Sequence, residues 1–227
     1  MNIGITSDLH GILPEIEPCE VLCICGDIIP LNIQRSVRKS IKWFSNEFRH
    51  WCDKIPAEHI VLIGGNHDFA LASYWKQDKG GFYFSDKVTV LENSTKRFID
   101  SNTGEVISIY GTPFCKIFGN WAFMLEGSTL VDIYDKIPEE TTILLTHDAP
   151  KLNDLGLIRV GNWTGDNAGN PYLADAILAK KPKYAFCGHI HSGNHVLDNI
   201  TPDTRGANVS LVNEEYKEAY PIKYIII

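Results

Sequence analysis

Five of the eight histidines in this 227-residue chain, His10, His67, His147, His189 and His191, fall in short loops that follow apolar runs. Asp8, Asp27 and Asn66 occupy the same kind of position. Asp8 and His10 stand at i and i+2, so in extended backbone both point to one side and can bind one ion. His189 and His191 repeat that spacing. Asp27 has two carboxylate oxygens and can bridge two ions, Asn66 offers a neutral carbonyl oxygen, and His147 adds an imidazole. Gly26 and Gly188 leave room for the backbone to approach a ligand closely. Mixed imidazole, carboxylate and amide donors suit Mn²⁺, Fe or Zn²⁺ better than Ca²⁺ or a thiolate-bound metal. Seven donors suffice for two ions sharing Asp27, about 3.5–4 Å apart as in two-metal hydrolases.

The elements that must carry these residues are legible as strands. Asn2 to Thr6, Val21 to Cys25, His59 to Ile63, Thr142 to Leu145 and Tyr184 to Cys187 are unbroken apolar runs, and each stops at a polar or glycine-containing loop. Such runs predict strands buried on both faces, and β-branched content with abrupt Gly and Asp stops favours strand over buried helix. Ligand sites in open α/β sheets form at the carboxyl ends of strands, so the five loops can converge. Val37, Ile41, Phe44 and Phe48 predict an amphipathic helix. A second helix starts at Asn170-Pro171, buries Leu173 and Ile177, and stops at Lys180-Lys181-Pro182. Phe98-Ile99 and Val106 to Ile109 flank a turn-rich segment as a hairpin would. Strands are expected at Asn208 to Val212 and Ile222 to Ile226. No repeat or linker interrupts the chain, so residues 1–227 read as a single domain.

Composition bounds the partners. With 21 Lys plus Arg against 28 Asp plus Glu, the formal net charge is −7, which argues against a dedicated nucleic-acid binder. No apolar run is long enough to span a membrane, and no secretory signal is read, so a cytoplasmic location is expected. The six cysteines then read as free thiols in a reducing compartment.

Together the motifs Asp8-Leu9-His10, Gly26-Asp27, Gly65-Asn66-His67-Asp68, Thr146-His147 and Gly188-His189-Ile190-His191 resemble those of the calcineurin-like metallophosphoesterase superfamily, in order, over about four fifths of the chain. Thr146 stands where that family usually has glycine. The likeness is nearest to the small metallophosphoesterase-domain-containing branch, whose animal members hydrolyse cyclic nucleotides, through Ile109 to Pro113, Phe118 to Phe123, Thr146 to Pro150 and Asn208-Val209-Ser210. The resemblance implies an α/β fold, a four-layer αββα sandwich of two packed mixed β-sheets flanked by helices. It implies two divalent metal ions, Mn²⁺ first with Fe or Zn²⁺ as alternatives. Asp8, His10, Asp27 and His191 would hold one ion, and Asp27, Asn66, His147 and His189 the other.

The implied reaction is hydrolysis of a phosphate ester by a metal-bound hydroxide, with a phosphodiester or cyclic nucleotide as first substrate. By the resemblance His67 serves as general acid or transition-state stabiliser, and Asp68 beside it is expected to orient the ring. A further metal ligand or a structural hydrogen bond is the other reading of His67. An inactive scaffold of this fold and a nuclease are the alternative functions; the complete donor set counts against the first and the acidic charge against the second. Phe114, Trp121 and Trp163 are candidates to stack on a nucleobase or to cover the core, and Arg159 to contact phosphate or face solvent.

Overall fold

Alternate residues of the strands go to different cores in the computed structural model, which describes residues 1–75 and 83–227. Val21, Cys23, Val61 and Ile63 join Ile109, Ile143, Leu145 and Phe186 in one apolar cluster. Leu22, Ile24, Ile60, Leu62 and Leu144 instead join a second cluster with Phe44, Phe48, Leu173 and Ile177. The period of two in a strand sends neighbours to opposite faces, so both faces need apolar side chains. The first cluster is the seam between two sheets, and the second is where helices cover them. This is the four-layer arrangement that the resemblance implies.

The first sheet runs β13-β1-β2-β3-β4, from β1 (Asn2–Thr6), β2 (Cys19–Ile24), β3 (Ala57–Leu62), β4 (Val88–Val90) and β13 (Lys223–Ile226). Its first four strands are mutually parallel, and β13 is antiparallel to β1. The second sheet runs β11-β12-β10-β9-β6-β5, from β5 (Ser94–Ile99), β6 (Val106–Thr112), β9 (Ile143–Thr146), β10 (Tyr184–Cys187), β11 (Asp198–Asn199) and β12 (Arg205–Asn208). There β6, β9, β10 and β12 are parallel, with β5 and β11 antiparallel at the edges. A short parallel pair, β7 (Cys115–Lys116) and β8 (Met124–Leu125), lies apart.

The first helix, α1 (Val37–Trp43), is capped by Ser36, whose side chain accepts from Lys39 N–H. It continues through a π-turn at Phe44–Phe48 into α2 (Arg49–Lys54), so the helical run goes beyond the expected one. Phe44 and Phe48 are buried as the pattern predicts, whereas Val37 in the first turn is exposed. Helices α3 (Phe69–Trp75) and α4 (Gly127–Tyr134) are additions to the expected set. Helix α5 (Pro171–Lys180) starts on the Asn170 cap with Pro171 at its first turn and ends on Lys181 at φ +53, which breaks the helix just before Pro182. The strand expected at Asn208 to Val212 is displaced: β12 ends at Asn208, and Ser210 and Val212 form isolated bridges to Ser7 and Glu218. Asn208 and Ser210 spend their side chains on the loops of the site, described below.

All six cysteines are unpaired and buried. No helix among the described residues is long and apolar enough to cross a membrane.

Glu92, just after β4, has a buried Oε1 with no hydrogen-bond partner among the described residues. Burial pushes its carboxyl up to about 8 from the ordinary 4.5. The folded chain therefore holds a proton there that the unfolded chain releases, and stability falls as pH rises through that interval. Glu92→Gln is expected to match the parent in thermal melts near pH 4.5 and to melt higher than the parent near pH 8.5, the gain appearing across that window. A difference that is the same at both ends would show that Glu92 stays ionised.

Candidate metal centre

The carboxyl ends of β1, β2, β3, β9 and β10 deliver the predicted residues to one place. Asp8, His10, Asp27 and His189 all take positive φ, of 53°, 43°, 53° and 68°. Left-handed backbone at non-glycine residues is strained, and it concentrates where side chains must be aimed at one point. Gly65 permits the convergence, since a Cβ there would lie 2.2 Å from Asp27 Oδ1. A Cβ on Gly188 would lie 2.1 Å from Asp8 Oδ2. The room expected at Gly188 is thus taken by a carboxylate of the site itself, and Gly26, at φ +93, makes way for the Gly64 backbone.

Asp27 is the hub. Its Oδ2 lies 3.3 Å from His147 Nε2, 3.7 Å from His67 Nε2 and 3.8 Å from His10 Nε2. His67 N–H donates to its Oδ1 at 2.8 Å. Asp8 Oδ1 stands 3.3 Å from His191 Nε2 and 3.9 Å from His10 Nε2. Three sets of donor atoms lie within 4.8 Å of one another: Asp8, His10 and His191; His10, Asp27 and His67; and Asp8, Asp27 and His147. Two donors that each sit about 2.1 Å from a cation are separated by about 3–4 Å, the range observed here. Asn66 adjoins the third set, with Oδ1 2.9 Å from His147 Nε2. His189 lies at its margin: its backbone N–H donates to Asp8, and its ring centroid is 5.1 Å from that of His147.

Both ring nitrogens of His10 are buried and without a hydrogen-bond partner among the described residues. Buried polar atoms are almost always paired, and Nε2 faces two carboxylates at 3.8–3.9 Å, too long for hydrogen bonds. A cation among Nε2 and the two carboxylates accounts for that spacing, so the residues fit the divalent ions the motifs imply. The orientation of the other imidazoles agrees. His147 Nδ1 bonds Cys25 O at 2.8 Å and His191 Nδ1 bonds Asn213 O at 3.0 Å, which turns each Nε2 toward the carboxylates.

Electrostatics favour cation capture. Burial works against the Asp8 and Asp27 charges, yet the surrounding imidazoles outweigh it and hold both carboxyls well below their ordinary range. Burial pushes His10 and His189 down to about 4, leaving neutral rings with free lone pairs. For His147 burial is outweighed by Asp27, which raises it to about 10. His67 is lowered, by burial first, against the pull of Asp27.

Asp68 does not orient His67. Its carboxylate accepts from the backbone N–H groups of Gly65 at 2.9 Å, Ile28 at 3.1 Å and Ile29 at 3.1 Å, so it staples the β2 loop to the β3 loop. Burial and the nearby Asp27 charge push its carboxyl up to about 7 in spite of those donors. The His67 ring nitrogen Nδ1 is paired instead with Gln34 Oε1, a residue outside every motif.

Other supports carry no signature in the sequence. Ser210 Oγ donates to Asp8 Oδ2 at 2.7 Å. Asn208 Nδ2 donates to Gly188 O at 3.1 Å and Ile190 O at 2.7 Å, which clamps the loop carrying His189 and His191. Only the local signal Asn208-Val209-Ser210 marks that segment. Thr146, in the place of the usual glycine, sits within β9 and donates its hydroxyl to Asp148 O at 2.9 Å, so His147 is undisturbed.

A cleft of about 300 Å³ opens on Asp27, Asn66, His67, His189 and His191, with Phe118, Trp121, Ile158 and Tyr216 among its walls. Of the three candidate stacking aromatics, only Trp121 is in this lining; Phe114 is buried against Phe123 and Trp163 is 69% exposed. Arg159 is not in the described lining: its Nη1 donates to Ser192 O at 2.6 Å. Tyr216, at φ +58, sets its ring 4.8 Å from that of His10 and 5.4 Å from that of His191.

A sheet sandwich with these donors at its strand ends defines a class, and the comparisons agree. The family model for calcineurin-like phosphoesterases matches residues 1–193, and the chain belongs to that family of metal-dependent hydrolases. Metallophosphoesterase domain-containing protein 1 of Homo sapiens is 27% identical over 225 residues, 91% of this chain and 65% of that protein. A probable rhamnogalacturonate lyase C of Emericella nidulans is 27% identical over 203 residues, 85% of this chain but 17% of that protein. The chain therefore spans less than two thirds of the length of these relatives. The crystal structure of phosphopantetheinyl hydrolase from Mycobacterium tuberculosis superposes with a TM-score of 0.60 at 12% identity, covering 99% of this chain and 95% of that one, which is a likeness of fold.

Removing the Asp68 carboxylate leaves three buried N–H groups without an acceptor, at about 1–3 kcal/mol each. Asp68→Ala is expected to lower the unfolding free energy of the metal-free protein by about 3 kcal/mol or more in urea titrations, and Asp68→Asn, which keeps an acceptor oxygen, by clearly less. Equal losses in the two variants would mean that the staple is not what Asp68 provides.

Proposed function

We propose that the chain, as a single domain over residues 1–227, hydrolyses a phosphodiester, with a cyclic nucleotide as first candidate, using two divalent cations, Mn²⁺ before Fe or Zn²⁺. Asp8, His10, Asp27 and His191 hold one ion in this reading, and Asp27, Asn66, His147 and His189 the other. The observation that carries it is the unpartnered, buried His10 imidazole between two carboxylates. The described lining of the cleft contains no Lys or Arg, while Asp27 brings negative charge to it. A phosphate ester would be repelled there unless cations were bound.

The bound cations supply charge neutralisation for the phosphate and a water acidified toward neutral pH. The protein's own part is positioning and proton transfer. Trp121, Phe118 and Tyr216 give the cleft flat apolar walls suited to an organic group, and a volume of about 300 Å³ suits a small ligand rather than a polymer. His67 Nε2 faces Asp27 and the cleft, and from there it passes its proton to the leaving oxygen. A cytoplasmic location belongs to the same proposal, supported by six unpaired thiols.

The decisive experiment is a metal-reconstituted screen over a nitrophenyl phosphodiester and 2′,3′- and 3′,5′-cyclic nucleotides. Turnover is expected with Mn²⁺ and is lost on chelation. His67→Ala is expected to lower kcat about 10²- to 10⁴-fold with metal content unchanged. No turnover of any ester by protein carrying two metals would sink the enzymatic reading, and loss of both metals in His67→Ala would sink the role of His67.

A further inference from the structure

The His67 ring is gripped by residues that lie outside the motifs. Nδ1 is paired with Gln34 Oε1. The Trp121 indole lies against the ring face, centroids 4.6 Å apart at 37°. On Trp121 rests the Arg35 guanidinium, 4.4 Å from the ring centroid and 4.3 Å from that of Phe69. Arg35 Nη1 also donates to Asn120 O at 2.8 Å, beside Trp121. Gln34 and Arg35 are consecutive, so one short loop holds the imidazole twice, at a nitrogen and, through Trp121, at a face.

That loop is itself fixed. Ile33 N–H donates to Pro30 O at 3.1 Å and Ser36 N–H to Ile33 O at 2.8 Å. Ser40 Oγ donates to Ile33 O at 3.2 Å, and Ser36 caps α1. An imidazole has one rotation, about its Cβ–Cγ bond, left once its backbone and its Cα–Cβ rotamer are set. An acceptor at Nδ1 together with a flat wall removes that rotation. With Nδ1 occupied, Nε2 is the nitrogen left facing Asp27 Oδ2, at 3.7 Å.

We infer that Gln34, with Arg35 acting through Trp121, is the positioning unit of His67 and fixes the ring as the Nδ1–H tautomer with Nε2 turned into the cleft. The choice of an amide has a physical reason: Asp8, Asp27 and Asp68 are already buried around this point, and a further carboxylate would add like charge. In the hydrolysis proposed above, the N–H bond at Nε2 breaks as the O–H bond forms on the leaving oxygen. The neutral ring left behind carries its proton on Nδ1, where Gln34 already accepts it, and solvent water returns a proton to Nε2. The catalytic part of the inference rests on the reading of His67 as proton donor; the tautomer does not.

The test separates the two. In the metal-free, ¹⁵N-histidine-labelled protein, the His67 signals, assigned by their loss in His67→Asn, are expected to report Nδ1–H. Gln34→Met, similar in size but without the acceptor, is expected to shift them toward the Nε2–H pattern. In the metal-loaded enzyme it is expected to lower kcat about 10- to 100-fold with KM within about 2-fold and metal content unchanged. Gln34→Glu, which restores an acceptor, is expected to recover the Nδ1–H signature, and Trp121→Phe to retain it. An unaltered His67 tautomer in Gln34→Met would overturn the inference. A changed tautomer with unchanged kcat would uphold the grip of Gln34 and overturn the reading of His67 as the proton donor.

Discussion

Asp27 stands just past β2, a buried residue with its backbone at φ +53 and one oxygen within 3.3–3.8 Å of three imidazoles from three other segments. Burying a lone carboxylate costs several kcal/mol, and the cost is met only by partners or by a cation. The features around it follow from that need. Gly65 must lack a side chain for Asp27 to lie where it does. His67 N–H supplies one hydrogen bond, and Asp68 ties together the loops on either side of the carboxylate. The sandwich is what lets residues 27, 67 and 147 meet, since β2 and β3 belong to one sheet and β9 to the other, with their carboxyl ends on the same side of the seam.

The parts of this arrangement that are local in the chain are legible in the amino-acid sequence. A strand buried on both faces announces itself by an unbroken apolar run, and the residues after its last apolar position must lie at its carboxyl end. That is why position in the chain brings out Asp8, His10, Asp27, Asn66, His67, His147, His189 and His191 as candidates, and why β1, β10 and α5 match their expected bounds. The supports are not local. Ser210 reaches Asp8 across 202 positions, Gln34 reaches His67 across 33, and Asp68 reaches Ile28 across 40. A lone Ser or Gln in a loop carries no periodicity, and only the Asn208-Val209-Ser210 likeness points at any of these supports. The correction at Asp68 has the same origin: adjacency to His67 implies contact, but the backbone after β3 turns its carboxylate toward Gly65, Ile28 and Ile29 instead.

Strain and polarity at the site have the same source. Four donor-bearing residues and Tyr216 hold left-handed backbone, each at a cost of about 1–3 kcal/mol, which the packed strands on either side must outweigh. Cysteines on β2 and β10 take the space of small apolar residues between the sheets and their coverings, with thiols that burial keeps protonated. Rigid strands thus end in strained, polar loops, and the loops are held open toward the cleft by side chains such as Asn208 that bond several backbone carbonyls at once.

Three imidazoles at the centre present Nε2 inward by placing Nδ1 on an oxygen, but the oxygens differ. His147 and His191 use the backbone carbonyls of Cys25 and Asn213, while His67 uses the side-chain amide of Gln34. A ligand imidazole has to stay in one place with Nε2 inward, and the backbone carbonyls of Cys25, just past β2, and of the loop residue Asn213 serve that. A ring that gives up and regains a proton at Nε2 carries its Nδ1 proton in both states, so its Nδ1 partner must accept in both. A neutral amide does so without the strong preference for the charged ring that a carboxylate would impose. Backbone or side chain, each acceptor is a neutral amide oxygen, so the three rings share one orientation and differ in where the acceptor is carried: on the main chain for His147 and His191, on the side chain of a loop residue for His67.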